Sequence, residues 1–127
     1  MIGAPAPPAT ESSGAELRVP LIGVDGPELD ACGTIGRITG LEKERLTELP
    51  VKAAPSAEAA RTDILHQADL VWLCEADGEW QGIVYATGEF QDLGDCRVSI
   101  PVPTPLQYSG PCSSGWISGH YIHIVTG

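Results

Sequence analysis

The residues of this chain with reactive side chains are Cys32, Cys74, Cys96 and Cys112, and the histidines His66, His120 and His123. Thiolates and imidazoles can hold a metal, act as a nucleophile with its base, or, for sulfur, cross-link the chain. The four cysteines form no Cys-x-x-Cys pair, and their long, unequal spacing lacks the paired knuckles of a structural zinc site. His120 and His123 stand three apart, which puts them on opposite faces of an extended chain, so they read as surface or edge histidines rather than joint ligands. His66 and Cys74 have the residue types of a nucleophilic pair, but nothing in the sequence brings them together. There is no Gly-x-Ser-x-Gly, no His-Glu-x-x-His and no phosphate loop. The chain is therefore expected to be no enzyme, with no catalytic residues, no metal and no cofactor. Cross-linking is what remains: an even cysteine count in a small, loop-rich chain points to two disulfides and to a periplasmic or secreted location, with free buried thiols as the alternative.

Composition narrows the partners. With 127 residues and 43% hydrophobic content the chain can bury one core. Seventeen acidic against seven basic side chains give a formal charge of −10, which opposes binding to phosphate backbones and anionic lipid surfaces. Nucleic acid and membrane insertion are not expected; the oligomeric state is left open. Met1-Ile2-Gly3-Ala4 has no basic region and no apolar run of leader length. Either a leader has been removed ahead of it or the protein is cytoplasmic, and the cysteines favour removal.

The elements that would position these residues are short. Residues 1–20, rich in Gly, Ala, Pro and Ser, read as a disordered leader or tether, and Leu21-Ile22-Gly23-Val24 as an extended strap ending at the turn Asp25-Gly26-Pro27. Ile35, Ile38 and Leu41 among Gly33, Gly36 and Gly40 suggest an extra N-terminal strand with a bend. Leu41 to Leu46 is a charged, solvated loop. Ser56 is placed to cap a helical turn over 55–61, and Asp63-Ile64-Leu65 leads a short strand. Asp77-Gly78 between alternating apolar residues predicts a hairpin with a type I′ turn. Val71 and Leu73 then face the core, while Trp72 and Cys74 face outward or under a strap. Trp80 and Ile83 fall on opposite parities, and a bulge at Gly82 would reconcile them.

Three stretches carry a family resemblance. They are Leu49-Pro50-Val51-Lys52-Ala53-Ala54-Pro55-Ser56, then Trp80 with Ile83 and Tyr85, then Gly115-Trp116-Ile117 followed by Tyr121-Ile122. In that order they resemble a bacterial SH3 (SH3b-like) domain, whose first strand reads Leu-x-Val-Arg-x-x-Pro-Ser and whose last strands read Gly-Trp-Val and Tyr-Leu. The resemblance spans roughly residues 46–124. It implies an all-β fold, a small SH3-like barrel over residues 21–127, that binds rather than catalyses. Two departures stand out. Ala68 occupies a turn position where the family usually has Gly, and residues 86–113 form a long insertion where a compact domain has a short turn. A loop of that length is usually functional or cross-linked. Joining Cys96 to Cys112 would close about 16 residues and stabilise the chain by roughly 3 kcal/mol. Cys32 is left to pair with Cys74, pinning the extra strand to the outer face of the hairpin. A short strand is expected over 97–102.

The aromatic residues supply the candidate binding surface. Tyr85, Tyr108, Trp116 and Tyr121 are expected to line a shallow groove beside the insertion, since Tyr and Trp offer a flat apolar face with a polar edge to sugar rings or peptide side chains. Tyr108, in a proline-rich loop, is the expected exposed anchor; Trp80 and Trp116 read equally well as core. The sequence thus suggests a non-catalytic recognition module of the cell envelope that binds cell-wall peptide, glycan or an envelope protein. The alternative is an acidic periplasmic inhibitor or immunity protein that blocks a basic enzyme such as a muramidase, with an acidic rim of Glu75, Asp77 and Glu79 and of Glu89, Asp92 and Asp95.

Overall fold

The structure is a computed structural model that describes residues 17–86 and 96–126. Its strands are β1 (Leu21–Ile22), β2 (Thr34–Ile38), β3 (Leu49–Lys52), β4 (Arg61–Leu65), β5 (Leu70–Asp77), β6 (Trp80–Tyr85), β7 (Leu106–Gln107), β8 (Ser113–Ser118) and β9 (Ile122–Thr126), with single 3-10 turns at Glu42–Glu44 and Gly119–Tyr121. All pairings are antiparallel. β1 and β7 form a two-stranded ribbon, and the other seven strands form one sheet in the order β4-β3-β8-β6-β5-β2-β9. The leader expected over 1–20 lies outside the described residues up to Glu16. From Arg18 onward the chain is docked: the Arg18 amide donates to the Ala53 carbonyl and Pro20 is buried.

The sheet separates two apolar cores. β6 lies at its centre and reads Ile83-Val84-Tyr85 with every residue buried, so it serves both sides. Ile83 and Tyr85 turn into an inner core with Ile38, Leu49, Val51, Leu65, Val71 and Ile117. Val84 turns to an outer core with Ile22, Cys32, Cys74, Cys96, Val98 and Tyr108. The hairpin β3–β4 folds over the inner side, while the strap 17–33 and the segment 96–112 cover the outer side. Val71 and Leu73 face inward, and Trp72 and Cys74 lie under the strap, as the alternation requires.

Both disulfides form as expected. Cys32 bonds Cys74 and Cys96 bonds Cys112, with Cα separations of 4.8 and 5.4 Å, inside the range a bridge spans.

Several expectations are corrected. The barrel implied by the resemblance is not closed: β4 and β9 are the ends of the sheet, and β3 meets β8 through one pair, Lys52 with Trp116. The strand expected as an N-terminal extra is β2, and it sits inside the sheet between β5 and β9. The hairpin turn is shifted by one residue. Asp77 pairs with Trp80, which leaves Gly78 and Glu79 as the two central residues. Positive φ falls on Gly78 alone, as a type II′ turn has, and not on Asp77. The bulge lies across from Gly82 rather than on it: Leu73 pairs with Ile83 and Glu75 with Gly82, so Cys74 is the inserted residue. The helical turn expected over 55–61 does not form: residues 55–60 make a non-helical turn and β4 begins at Arg61, the Ser56 hydroxyl accepting from the Glu58 amide two residues on, a bond that competes with helix. The run 97–102 forms no strand; Cys96 and Arg97 both have positive φ, which is incompatible with an extended ladder, and the strand in this region is β7.

Ala68, where the family usually has Gly, has φ 77 between β4 and β5. A Cβ is strained in that region and glycine is not. Ala68→Gly is therefore expected to raise stability by about 0.5–1 kcal/mol after the added unfolded-state entropy is counted. Urea unfolding midpoints at constant m-value would check it.

Candidate functional site

The four aromatic residues expected to line one groove are not brought together. Tyr85 is 2% exposed, on the inner side of β6, and its hydroxyl donates to Asp63 Oδ2 at 2.9 Å. Burial, and then the Asp63 carboxylate, push its ionisation well above the ordinary tyrosine range, so it stays protonated. Tyr108 is 7% exposed on the opposite side of the sheet, and is a strut rather than an exposed anchor. Its hydroxyl donates to the Cys96 carbonyl at 2.9 Å and accepts from the Cys112 amide at 3.0 Å, so it braces both ends of the Cys96–Cys112 bridge. A proline-rich loop read by composition alone suggests exposure, but this loop is pulled inward by its cross-link.

Trp116, on β8, is fully buried beneath the strap. Its Nε1 donates to the Arg18 carbonyl at 2.7 Å, and the Arg18 guanidinium lies 4.6 Å from the ring centroid. The same guanidinium bonds Glu75 and reaches Asp77 Oδ2 at 3.1 Å. Two of the three hairpin acids expected to form a free negative rim are therefore partnered by the strap. Glu89, Asp92 and Asp95 lie outside the described residues. Cys74 is committed to its disulfide, so no free thiol pairs with His66.

Tyr121 is the expected site residue that reaches the surface, and it brings partners that the sequence did not link to it. The 3-10 turn Gly119–Tyr121 begins at Ser118, whose hydroxyl accepts from the His120 amide. It faces the other 3-10 turn, Glu42–Glu44. Tyr121 Oη donates to Glu44 Oε1 at 2.9 Å, and His120 Nε2 lies 3.0 Å from Glu44 Oε2. The His120 and Tyr121 rings meet edge to face, 4.9 Å between centroids at 85°. Leu46, 39% exposed, follows Glu44 in the same loop. Positions 44 and 120 are too far apart for any local pattern to pair them, and a charged turn reads as plain solvation.

The trio is electrostatically consistent. The Tyr121 hydroxyl, with His120 beside it, holds the Glu44 carboxyl below its ordinary range, and Glu44 in turn raises Tyr121. Because the folded-state value of Glu44 is depressed, these contacts contribute above the ordinary glutamate value and are lost as pH falls through the depressed one. A carbon-detected NMR titration should show Glu44 ionising at lower pH than free glutamate, and Tyr121→Phe should move it back up.

Chemically, the trio presents one carboxylate with its two oxygens each engaged, an imidazole and the exposed side of a phenol. Among the described residues no group of three or more His, Cys, Asp or Glu could hold a metal. A shallow depression of about 420 Å³ lies at the far end of β2, lined by Asp25, Glu28, Leu29, Asp30, Gly33 and Thr34. No helix among the described residues is long and apolar enough to cross a membrane.

These features define an all-β protein of antiparallel sheets whose outer layer is held by two disulfides. The chain matches no protein-family model, no curated protein and no solved structure.

Proposed function

We propose that this chain is a non-catalytic recognition module of the cell envelope, periplasmic or secreted, that contacts cell-wall peptide, glycan or an envelope protein through the surface formed by Glu44, His120 and Tyr121. The carrying observation is the meeting of the two 3-10 turns, which places a partnered carboxylate and an edge-to-face His–Tyr pair side by side at the end of the sheet. Such a surface offers polar tips and an aromatic edge, with both Glu44 oxygens and the Tyr121 hydroxyl already partnered. Two disulfides suit an oxidising compartment. The meander β5-β6-β8 fits the bacterial SH3 resemblance, whereas the sheet is open and β9 pairs with β2, a strand outside the resembling stretch.

The test is chemical-shift mapping with soluble peptidoglycan fragments, stem peptides and disaccharides separately. Shifts should centre on Glu44, His120 and Tyr121, and Tyr121→Ala, measured well below its melting temperature because Tyr121 also packs against the inner core, should weaken binding by about 1–2 kcal/mol. Binding that leaves these residues unmoved would refute the site. The second reading, an acidic inhibitor of a basic enzyme, is favoured by the depression bearing Asp25, Glu28 and Asp30. Inhibition of a basic muramidase, lost on Asp25→Asn with Asp30→Asn, would select it instead.

A further inference from the structure

All four cysteines lie on one side of the sheet. The inner core contains none, whereas the outer core contains Cys32, Cys74 and Cys96 with Cys112 packed against it. The outer layer is also largely tied to itself. The Gly23 amide donates to Ala31, Ala31 to Ile100, Cys32 to Val98 and Tyr108 to Pro20, each bond joining one part of the cover to another. Besides the apolar packing of the outer core and the chain links into β2 at Thr34 and into β8 at Ser113, its attachments to the sheet among the described residues include two clusters. At one end Arg18 grips Glu75 and Asp77, and the Leu21 amide donates to Glu75 Oε1. At the other, Cys32 is bonded to Cys74.

We propose that the cover, Gly23–Gly33 with Cys96–Cys112, is a redox-latched layer that a dithiol reductant loosens as a local unit, still tethered at Arg18, Thr34 and Ser113, while the sheet and its inner core persist. Loosening uncovers the outer face of β5 and β6 at Trp72, Cys74 and Val84. Cys32, Cys74 and Cys96 are buried and Cys112 is only half-buried, so the exchange starts at the Cys96–Cys112 bridge. A thiolate of the reductant attacks the Cys112 sulfur, the bond to Cys96 breaks, and Cys96 leaves as a thiolate that takes up a proton. The second thiol of the reductant then closes its own disulfide and releases Cys112 as a thiol. Loosening of that segment exposes Cys32–Cys74 to the same two-step exchange, which frees the latch.

The experiment titrates the full-length oxidised chain with dithiothreitol, traps free thiols with iodoacetamide for mass mapping, and follows amide hydrogen exchange in parallel. Cys96 and Cys112 should be labelled before Cys32 and Cys74. After full reduction the amides of Gly23, Ala31, Cys32 and Tyr108 should exchange at least about tenfold faster, while those of Val71, Ile83 and Ile117 stay within about twofold of the oxidised protein. A chain with all four cysteines changed to serine should reproduce the reduced pattern. Loss of protection in β5, β6 and β8 together with the cover would overturn the proposal, because cover and sheet would then be one cooperative unit. Unchanged cover amides after full reduction, or earlier labelling of Cys32 and Cys74, would overturn it as well.

Discussion

Trp116→Ala is expected to lower folding stability by about 3–5 kcal/mol, the range for emptying a buried aromatic site. The ring is fully buried, and its loss removes more than apolar area. Its Nε1 bond to the Arg18 carbonyl and the face on which the Arg18 guanidinium rests both disappear. Arg18 would still be held by Glu75 and Asp77, but over a void instead of a ring. Denaturant unfolding followed by far-ultraviolet circular dichroism gives the loss, and Trp116→Phe separates its parts. The phenylalanine keeps most of the apolar area but leaves the Arg18 carbonyl without its donor, so it should cost about 1–3 kcal/mol. If Trp116→Ala were nearly neutral for stability, the ring would not be the seat of the strap.

Gly115→Ala should be costly for the opposite reason, too little room. A Cβ built there would stand 2.4 Å from Val51 Cγ1 and 3.1 Å from the Lys52 carbonyl oxygen. The first neighbour is a short β-branched side chain in the inner core and the second is backbone, so neither swings aside. β3 would have to move off β8, which it meets through a single pair. The expected loss is about 2–3 kcal/mol. Val51→Ala removes the closer obstacle, so the double variant should be more stable than the sum of the two single changes predicts, by about 1 kcal/mol or more. Additive losses in that cycle would show that the clash is not with Val51.

How much of this was legible in the sequence depends on the range of the interaction. The facing of Val71, Leu73, Trp72 and Cys74 was legible because a strand imposes a period of two and the local composition declares which face is apolar. Both cysteine pairs were legible because there were few cysteines and one pair enclosed a loop of suitable length. The turn at Gly78 was legible as a hairpin but not in register, since Asp77-Gly78 and Gly78-Glu79 both contain the glycine and only cross-strand pairing decides between them. The aromatic groove failed on burial. Tyr85 and Tyr108 each spend their hydroxyl on a partner distant in sequence, Asp63 and Cys96, and composition carries no information on such partners. Glu44 was missed for the same reason: what makes it distinctive is that two residues more than seventy positions away fold back onto its carboxylate.

The bulge at Cys74 bears on how the strap is fastened. A regular strand shows one face only every second residue, so two neighbouring positions never serve the same side. The inserted residue breaks that parity, and Cys74 and Glu75 come out together toward the strap, one as the covalent fastener to Cys32 and the next as the acceptor for Arg18 and the Leu21 amide. The arrangement works as a phase slip. Upstream of it β5 keeps time with the inner core, and at it the strand presents two adjacent attachment points within a span that a uniform ribbon could not supply. Removing one residue there would restore the even rhythm and turn either the sulfur or the carboxylate inward, where neither finds its counterpart on the strap.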